Sequence, residues 1–301
     1  MGNTYEAAAR RSRRPLSFEA QNRVCPRFAQ ECEEALSRSE KRCKTREMQD
    51  KSRCAHGKEQ ELTLSQAALS GVSSHGILIF GMHRSGTSAL AGSFQEAGLY
   101  LGRTLDTPFE HNPKGLQEPP AVIFMHENLL QENGGAWHAP PPSIVWGQLH
   151  KAVRDLFIES RAPHALWGLK EPRMLLVAEG WIEALPSWSG VGIFRDPVQV
   201  AQSIFLRNGF DHDKCFAIWK AYNSALIALH RKYGVPIVEF SSDSAEMEGR
   251  IRKLLVHAGL PADQAMTFFD PAIPRHREEA AELALPQDVA RLLAELRDVA
   301  W

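Results

Sequence analysis

Between residues 76 and 299, the apolar positions follow two different patterns, short continuous runs and helical spacing. Short apolar runs bounded by turn residues predict four buried strands, at 76–80, 165–170, 190–195 and 235–240. Stretches with apolar residues at helical spacing predict helices at 86–97, 119–133, 143–160, 172–184, 197–209, 211–232, 244–258 and 287–299. Strands that alternate with helices join through right-handed crossovers. The pattern therefore predicts an α/β fold of three layers, with a central parallel sheet flanked by helices.

The first part of the chain has a different composition. Residues 1–60 contain only five Leu, Ile, Val or Phe residues, too few to offset the entropy of ordering sixty residues. Residues 1–74 carry 14 basic and 10 acidic side chains, whereas the remainder carries 21 and 26. We therefore predict a charged N-terminal tail at 1–74, largely disordered or weakly helical, and one folded domain at 75–301.

The charge and the cysteine content of the chain limit the classes of protein to which it can belong. The formal net charge is −1 and the predicted domain is acidic, so nothing in the composition favours a nucleic-acid partner. No stretch approaches the roughly 18 apolar residues of a spanning helix, so we predict no membrane span. The N-terminus precedes no apolar segment, and the number of cysteines is odd, at five. Both observations favour a reducing compartment, and we expect a cytoplasmic protein.

The clearest chemical signal follows the first predicted strand. Residues 81–88 read GMHRSGTS and lie between an apolar run and a helical pattern. A glycine-framed loop between a strand and a helix directs backbone N–H groups and the positive helix end at one anion. The interval Gly-x4-Gly matches the nucleotide P-loop, but Thr87 stands where that motif requires lysine. A cation occurs earlier in the loop instead, at Arg84.

A second group of polar side chains follows the third predicted strand. Arg195 comes at the carboxyl end of this strand, where open α/β sheets bind their ligands. Asp196 and Pro197 then predict the start of a helix. Ser203 lies about two turns along this helix, and Arg207 lies four residues later on the same face. A guanidinium and a neighbouring hydroxyl form a suitable phosphate site.

Together these motifs resemble those of the bacterial-type sulfotransferases that use 3′-phosphoadenosine 5′-phosphosulfate (PAPS). The resemblance covers roughly residues 76–277. The segment GMHRSGTSAL is similar to the phosphosulfate-binding loop of that P-loop superfamily, and the interval from Arg195 to Ser203 is similar to its 3′-phosphate site. The resemblance implies PAPS as the sulfuryl donor and eight residues that bind it: His83, Arg84, Ser85, Gly86, Thr87, Ser88, Arg195 and Ser203. It implies no metal, because no acidic cluster accompanies the loop.

A third segment suggests the groups that act on the reacting atoms. Residues 169–173 read LKEPR and resemble a Lys-acid-Pro-Arg motif at the end of a strand in this family. The resemblance implies that Arg84 and Lys170 offset the charge that develops on the bridging oxygen of the donor. Catalysis would then consist mainly of positioning and charge stabilisation.

The general base differs from that of one branch of the family. Aryl and steroid sulfotransferases follow the corresponding lysine with Thr-His, and this histidine is their base. Here Glu171 and Pro172 occupy those two places. Carbohydrate sulfotransferases use carboxylate bases, so the resemblance favours Glu118, with His111 and His83 as alternatives.

The resemblance implies in-line transfer of a sulfuryl group from PAPS to a hydroxyl or an amine. The identity of the acceptor stays open, because residues 103–118 and 134–150 contain no motif that indicates a particular substrate. A small molecule, a glycan or a lipid is compatible with the sequence. We expect residues 105–118 and 134–142 to form surface loops beside the ligand crevice. Two alternatives stay open: a P-loop kinase, which Thr87 disfavours, and an inactive nucleotide-binding relative.

Overall fold

The structure is a computed structural model, and it describes residues 74–106, 114–263, 266–268 and 283–301. The predicted tail lies outside the described residues except for Ser74, and so does His111. In the part of the chain that is described, no helix combines the length and the apolar character needed to cross a lipid bilayer.

The described residues form four strands and eight helices in the order that the sequence pattern predicts. The strands are β1 (His75–Phe80), β2 (Leu166–Lys170), β3 (Trp188–Phe194) and β4 (Ile237–Glu239). The helices before β3 are α1 (Thr87–Glu96), α2 (Pro120–Glu132), α3 (Gln148–Glu159) and α4 (Met174–Ile182). The helices after β3 are α5 (Pro197–Asn208), α6 (His212–Tyr233), α7 (Ser244–His257) and α8 (Gln287–Val299).

All four strands pair in parallel, in the order β2-β1-β3-β4. Alternate residues of β1 point to opposite faces of the sheet. Leu78 and Phe80 join one buried cluster with α2 to α6 and α8, whereas Ile77 and Ile79 join another with α1 and α7. This arrangement confirms the predicted three layers. It also explains why the strands read as nearly continuous apolar runs, since both of their faces are buried.

The carboxyl ends of parallel strands meet at one edge of a sheet, and here this edge collects the polar residues of the sequence motifs. β1 continues into the loop that contains Arg84, β2 ends at Lys170, and β3 is followed at once by Arg195. After Arg195, the carboxylate of Asp196 accepts hydrogen bonds from the first amides of α5, as its sequence position predicts. The fold therefore concentrates the candidate chemistry at one place.

The structure corrects two predictions about segments between these elements. Helix α3 begins at Gln148 rather than 143, because Gly147 is its N-cap and three prolines precede Ser143. Of the expected surface loop at 105–118, residues 107–113 lie outside the described residues, and the described end is buried, since Gln117 is 3% and Glu118 is 4% exposed. The reason is the ammonium group of Lys170, which binds this segment from the end of β2.

Two glycines provide a matched test of this local geometry. Gly86 precedes α1 with φ 89°, and a Cβ there would lie 2.4 Å from the ring of Phe240. Gly249 lies inside α7, where a Cβ would meet nothing within 4 Å. We expect Gly86→Ala to lower the free energy of unfolding by about 1–2 kcal/mol, because of the left-handed backbone. Gly249→Ala should raise it by about 1 kcal/mol, because alanine favours the helix.

Thermal unfolding measures both effects, since 1 kcal/mol shifts the Tm by about 2–4 °C in a domain of this size. A Gly86→Ala variant as stable as the wild type would contradict the left-handed geometry of the loop.

Candidate functional site

The loop between β1 and α1 has the backbone geometry of an anion site. Arg84 and Gly86 adopt the left-handed region, with φ of 68° and 89°. Such turns aim neighbouring N–H groups into one concavity. The first amides of α1 have no carbonyl partner within their own helix, and they carry the positive end of its dipole. An anion placed at this end would accept several hydrogen bonds at once.

Two side chains of the loop contain buried polar atoms with no hydrogen-bond partner among the described residues. They are the hydroxyl oxygen of Ser85, which is 0% exposed, and Nε2 of His83. A buried polar group without a partner costs about 1–3 kcal/mol. The oxygens of a bound phosphate or sulfate group would accept from these donors. The chemistry of the loop therefore fits an oxyanion.

The two sequence motifs meet through Arg84. Its Nε donates to the hydroxyl of Ser203 at 2.7 Å, across 119 positions of the chain. Arg195 donates from Nη1 to the backbone oxygen of Arg84 at 3.3 Å and from Nε to Gln199 Oε1 at 2.8 Å. The guanidinium carbon of Arg195 also lies 4.8 Å from the ring centroid of Phe240. These contacts join the loop to α5 and to the residue that follows β3.

The hydrogen-bond partner of Ser203 could not be predicted from its interval to Arg195 in the sequence. The sequence pairs this hydroxyl with Arg195, whereas the structure shows it bound to the guanidinium of Arg84. Ser203 is nearly buried, at 8% exposed. Burial also lowers the pKa of Arg84, but a guanidinium keeps its charge at neutral pH. Ser203 thus orients the cation of the loop.

Lys170 links three segments at the end of β2. Its Nζ donates to Ser88 Oγ at 3.1 Å, to Leu116 O at 2.6 Å and to Glu118 Oε1 at 2.6 Å. The hydroxyl of Ser88 donates in turn to Leu116 O at 3.1 Å. Lys170 is only 1% exposed, so its charge is held inside the protein by these oxygens. Lys170, Ser88 and Glu118 therefore form one cluster next to the loop.

Glu118 has the environment of a carboxyl group with altered acidity. Burial raises its pKa, the ion pair with Lys170 opposes this change, and the nearby charge of Glu171 reinforces it. The net direction is upward. A general base is most effective when its pKa is close to the working pH. Glu118 therefore combines a raised pKa with a position beside the loop that contains Arg84.

The sequence assigned no role to Arg173, which forms a buried network behind this cluster. Arg173 donates to Glu171 Oε1 at 2.5 Å and to Glu127 Oε1 at 2.6 Å. Trp181 donates to Nε2 of His126 at 2.8 Å, so His126 uses its Nδ1–H for Glu171 Oε2, at 2.5 Å. The motif LKEPR was the only sequence signal of this network.

This network fixes the state of Glu171. Burial alone would raise the pKa of Glu171, but Arg173 and His126 hold it below its usual value. Glu171 is thus an ionised structural partner with both oxygens occupied.

His83 lies beside two aromatic side chains. Its ring centroid is 4.9 Å from that of Trp137 and 5.9 Å from that of Tyr222. Burial holds the pKa of His83 well below its usual value, so the imidazole is neutral at pH 7. Four nearby cations act in the same direction: Arg173, Arg207, Lys170 and Arg84. The site is therefore strongly cationic around a neutral histidine.

Within the described ranges, no group of three or more His, Cys, Asp or Glu side chains is arranged to hold a metal ion.

Comparisons with known proteins give structural matches alone. No family model matches the sequence, and neither does any curated protein. A sulfotransferase domain from the curacin biosynthetic pathway matches at 13% identity and a TM-score of 0.47, over 75% of this chain and 99% of that chain. A sulfotransferase domain from the Synechococcus PCC 7002 olefin synthase matches at 18% identity and a TM-score of 0.48, over 79% and 98%.

The sulfotransferase STF1 from Mycobacterium tuberculosis H37Rv matches at 14% identity and a TM-score of 0.37, over 76% of this chain and 73% of that chain. All three likenesses are weak, with TM-scores below 0.5. Its fold class follows from the sheet and helices described above, and its chemistry follows from the contacts at the edge of the sheet.

Proposed function

We propose that this chain is a sulfotransferase that moves a sulfuryl group from PAPS to a hydroxyl, or an amine, of its acceptor without a metal. The observation that carries the proposal is the contact of Arg84 with both Ser203 and Arg195. It links a loop that lacks the P-loop lysine to a second cationic site at the end of a neighbouring strand. A nucleoside with phosphates at both its 5′ and 3′ ends matches two such sites.

The loop residues divide the binding of this donor between them. Arg84, the hydroxyls of Ser85 and Thr87, and the amides of residues 86–88 would hold the 5′-phosphosulfate, since the hydroxyl of Ser88 already donates to Leu116 O. His83 would contribute its buried Nε2. Arg195 and Ser203 would bind the 3′-phosphate, with Ser203 shared with Arg84. Guanidinium groups suit this task because they offer paired donors and a permanent charge.

The donor supplies an activated sulfuryl group. The acceptor oxygen forms a bond to sulfur as the bond from sulfur to the 5′-phosphate oxygen breaks, which leaves adenosine 3′,5′-bisphosphate. Arg84 and Lys170 would stabilise the negative charge on that leaving oxygen. Glu118 would take the proton of the acceptor hydroxyl.

The hydrogen bonds of Lys170 support this division of roles. Because one ammonium group binds both Ser88 of the loop and Glu118, the candidate base is held at a fixed place relative to the donor site. Fixed geometry of this kind is a main source of rate enhancement in group transfer. The acceptor itself would be a small molecule, a glycan or a lipid. A cytoplasmic location is consistent with the cysteine usage of the chain.

The nucleotide preference tests this proposal. Adenosine 3′,5′-bisphosphate should raise the Tm without magnesium, whereas ATP with magnesium should have little effect, because ATP carries all its charge at the 5′ end. A ligand at a hundred times its Kd stabilises the folded state by about 2.7 kcal/mol. Arg195→Ala should weaken bisphosphate binding by about 1.5–3 kcal/mol, or one to two decades in Kd.

The matched control is Arg291→Ala, which removes an exposed arginine of α8 and should leave the shift unchanged. A larger stabilisation by ATP with magnesium than by the bisphosphate would refute the sulfotransferase proposal and favour a kinase.

Replacement of Glu118 tests the candidate base. Glu118→Gln keeps the shape of the side chain but cannot take a proton, so turnover should fall by roughly 10²–10⁴-fold. Bisphosphate affinity should stay near that of the wild type. In the wild type, kcat/KM should fall as the pH is lowered and Glu118 becomes protonated. Because the pKa of Glu118 is raised, this fall should begin at a higher pH than for an ordinary carboxyl group. This limb of the pH profile should disappear in the variant.

The assay measures the transfer of the sulfuryl group to an acceptor, which is first identified by screening candidate acceptors with radiolabelled PAPS. Glu159→Gln, which changes an exposed carboxylate at the end of α3, serves as the control. Unchanged turnover in Glu118→Gln would move the role of base to His83 or His111.

A further inference from the structure

Arg207 is a cation near the loop to which the proposed function assigns no role. It lies in the last turn of α5 and is half-buried. Its Nε donates to Asn208 Oδ1 at 2.7 Å, and its guanidinium carbon lies 5.3 Å from the ring centroid of Trp137. Among the described residues, no carboxylate is in ion-pair contact with Arg207. Both of its partners are neutral.

Two other buried cations of this region, Lys170 and Arg173, have acidic partners. Lys170 is paired with Glu118, and Arg173 is paired with Glu171 and Glu127. Burial, together with the charges of Arg84 and Arg173, lowers the pKa of Arg207 to about 10, although the charge of Glu118 acts in the opposite direction. Its positive charge is thus poorly compensated by the protein. A half-buried cation in this position calls for an anion from outside the chain.

Trp137, which lies beside Arg207, forms an aromatic wall with His83 and Phe210. The ring of Trp137 contacts those of His83 and Phe210, at centroid distances of 4.9 and 6.0 Å. The hydroxyl of Tyr222 donates to the backbone oxygen of Trp137 at 3.0 Å, which fixes this segment against α6. Aromatic faces beside one charged group are typical of small-molecule sites.

This wall also adjoins the reacting end of the donor site. His83 belongs to the loop that contains Arg84, and Nε2 of His83 has no hydrogen-bond partner among the described residues. The wall and the loop therefore share one residue. A molecule packed against Trp137 would place its polar groups between Arg207 and the loop.

We propose that Arg207 and the aromatic wall bind the acceptor, and that this acceptor carries a carboxylate in addition to its hydroxyl. The apolar part of such a hydroxy acid packs on Trp137, and its carboxylate binds the guanidinium of Arg207. A guanidinium with no acidic partner among the described residues matches the single charge of a carboxylate, whereas a phosphate monoester would bring nearly two negative charges. This inference rests on the proposed function, and it narrows the acceptor to a chemical class.

Calorimetry of the bisphosphate complex tests the inference with pairs of probes that differ only in charge. The pairs are 4-hydroxybenzoate with 4-hydroxybenzamide, and 3-hydroxyoctanoate with its amide. In at least one pair, the acid should bind about tenfold or more tightly than the amide, as expected of a charge-assisted contact. Arg207→Met should remove this preference, and Arg207→Lys should keep part of it. Arg291→Met, a change at the surface of α8, should leave the preference intact.

Each contrary result has a distinct meaning. Acids that bind no better than their amides, or that do not bind, would overturn the inference. So would tighter binding of 4-hydroxyphenyl phosphate than of 4-hydroxybenzoate. A loss of bisphosphate affinity in Arg207→Met as large as in Arg195→Ala would also overturn it, because Arg207 would then belong to the donor site. Failure of the wild type to bind the bisphosphate would instead refute the proposed function.

Discussion

Buried positive charge needs compensation, and this constraint organises the edge of the sheet. Moving an ion out of water costs several kcal/mol unless partners replace the lost hydration. Lys170 obtains its partners from Glu118, Ser88 and a backbone oxygen, and Arg173 obtains its partners from two carboxylates. Arg207 has neutral partners within the described residues. The protein therefore keeps a positive charge that an anionic ligand can satisfy.

The parallel sheet explains why these charges are close together. Each strand ends at the same edge, so residues far apart in the chain become neighbours there. The contact between Arg84 and Ser203 joins the end of β1 to the helix that follows β3. The contacts of Lys170 join the end of β2 to the start of α1 and to the segment before α2. The apolar layers on both faces hold these ends rigidly, and their packing thereby supports the geometry of the site.

Local sequence patterns predicted the helices and strands, whereas contacts between residues far apart in the sequence could not be predicted from them. Asp196 caps α5 as its position next to Pro197 suggests, because capping involves only neighbouring amides. The burial of Glu118 could not be predicted, since it depends on Lys170, which is 52 positions away. The bond of Ser203 to Arg84 and the stacking of Arg207 on Trp137 are equally non-local. Periodicity describes one segment at a time and does not show which segments meet.

The most direct test of the account follows the sulfur atom itself. The purified chain is incubated with sulfur-radiolabelled PAPS and a panel of hydroxyl and amine acceptors, without magnesium. The account predicts that label appears on an acceptor together with an equal amount of adenosine 3′,5′-bisphosphate. It also predicts that Arg84→Ala abolishes the transfer. The account would be contradicted if PAPS stayed intact with every acceptor while ATP labelled at its γ-phosphate transferred its label in the presence of magnesium.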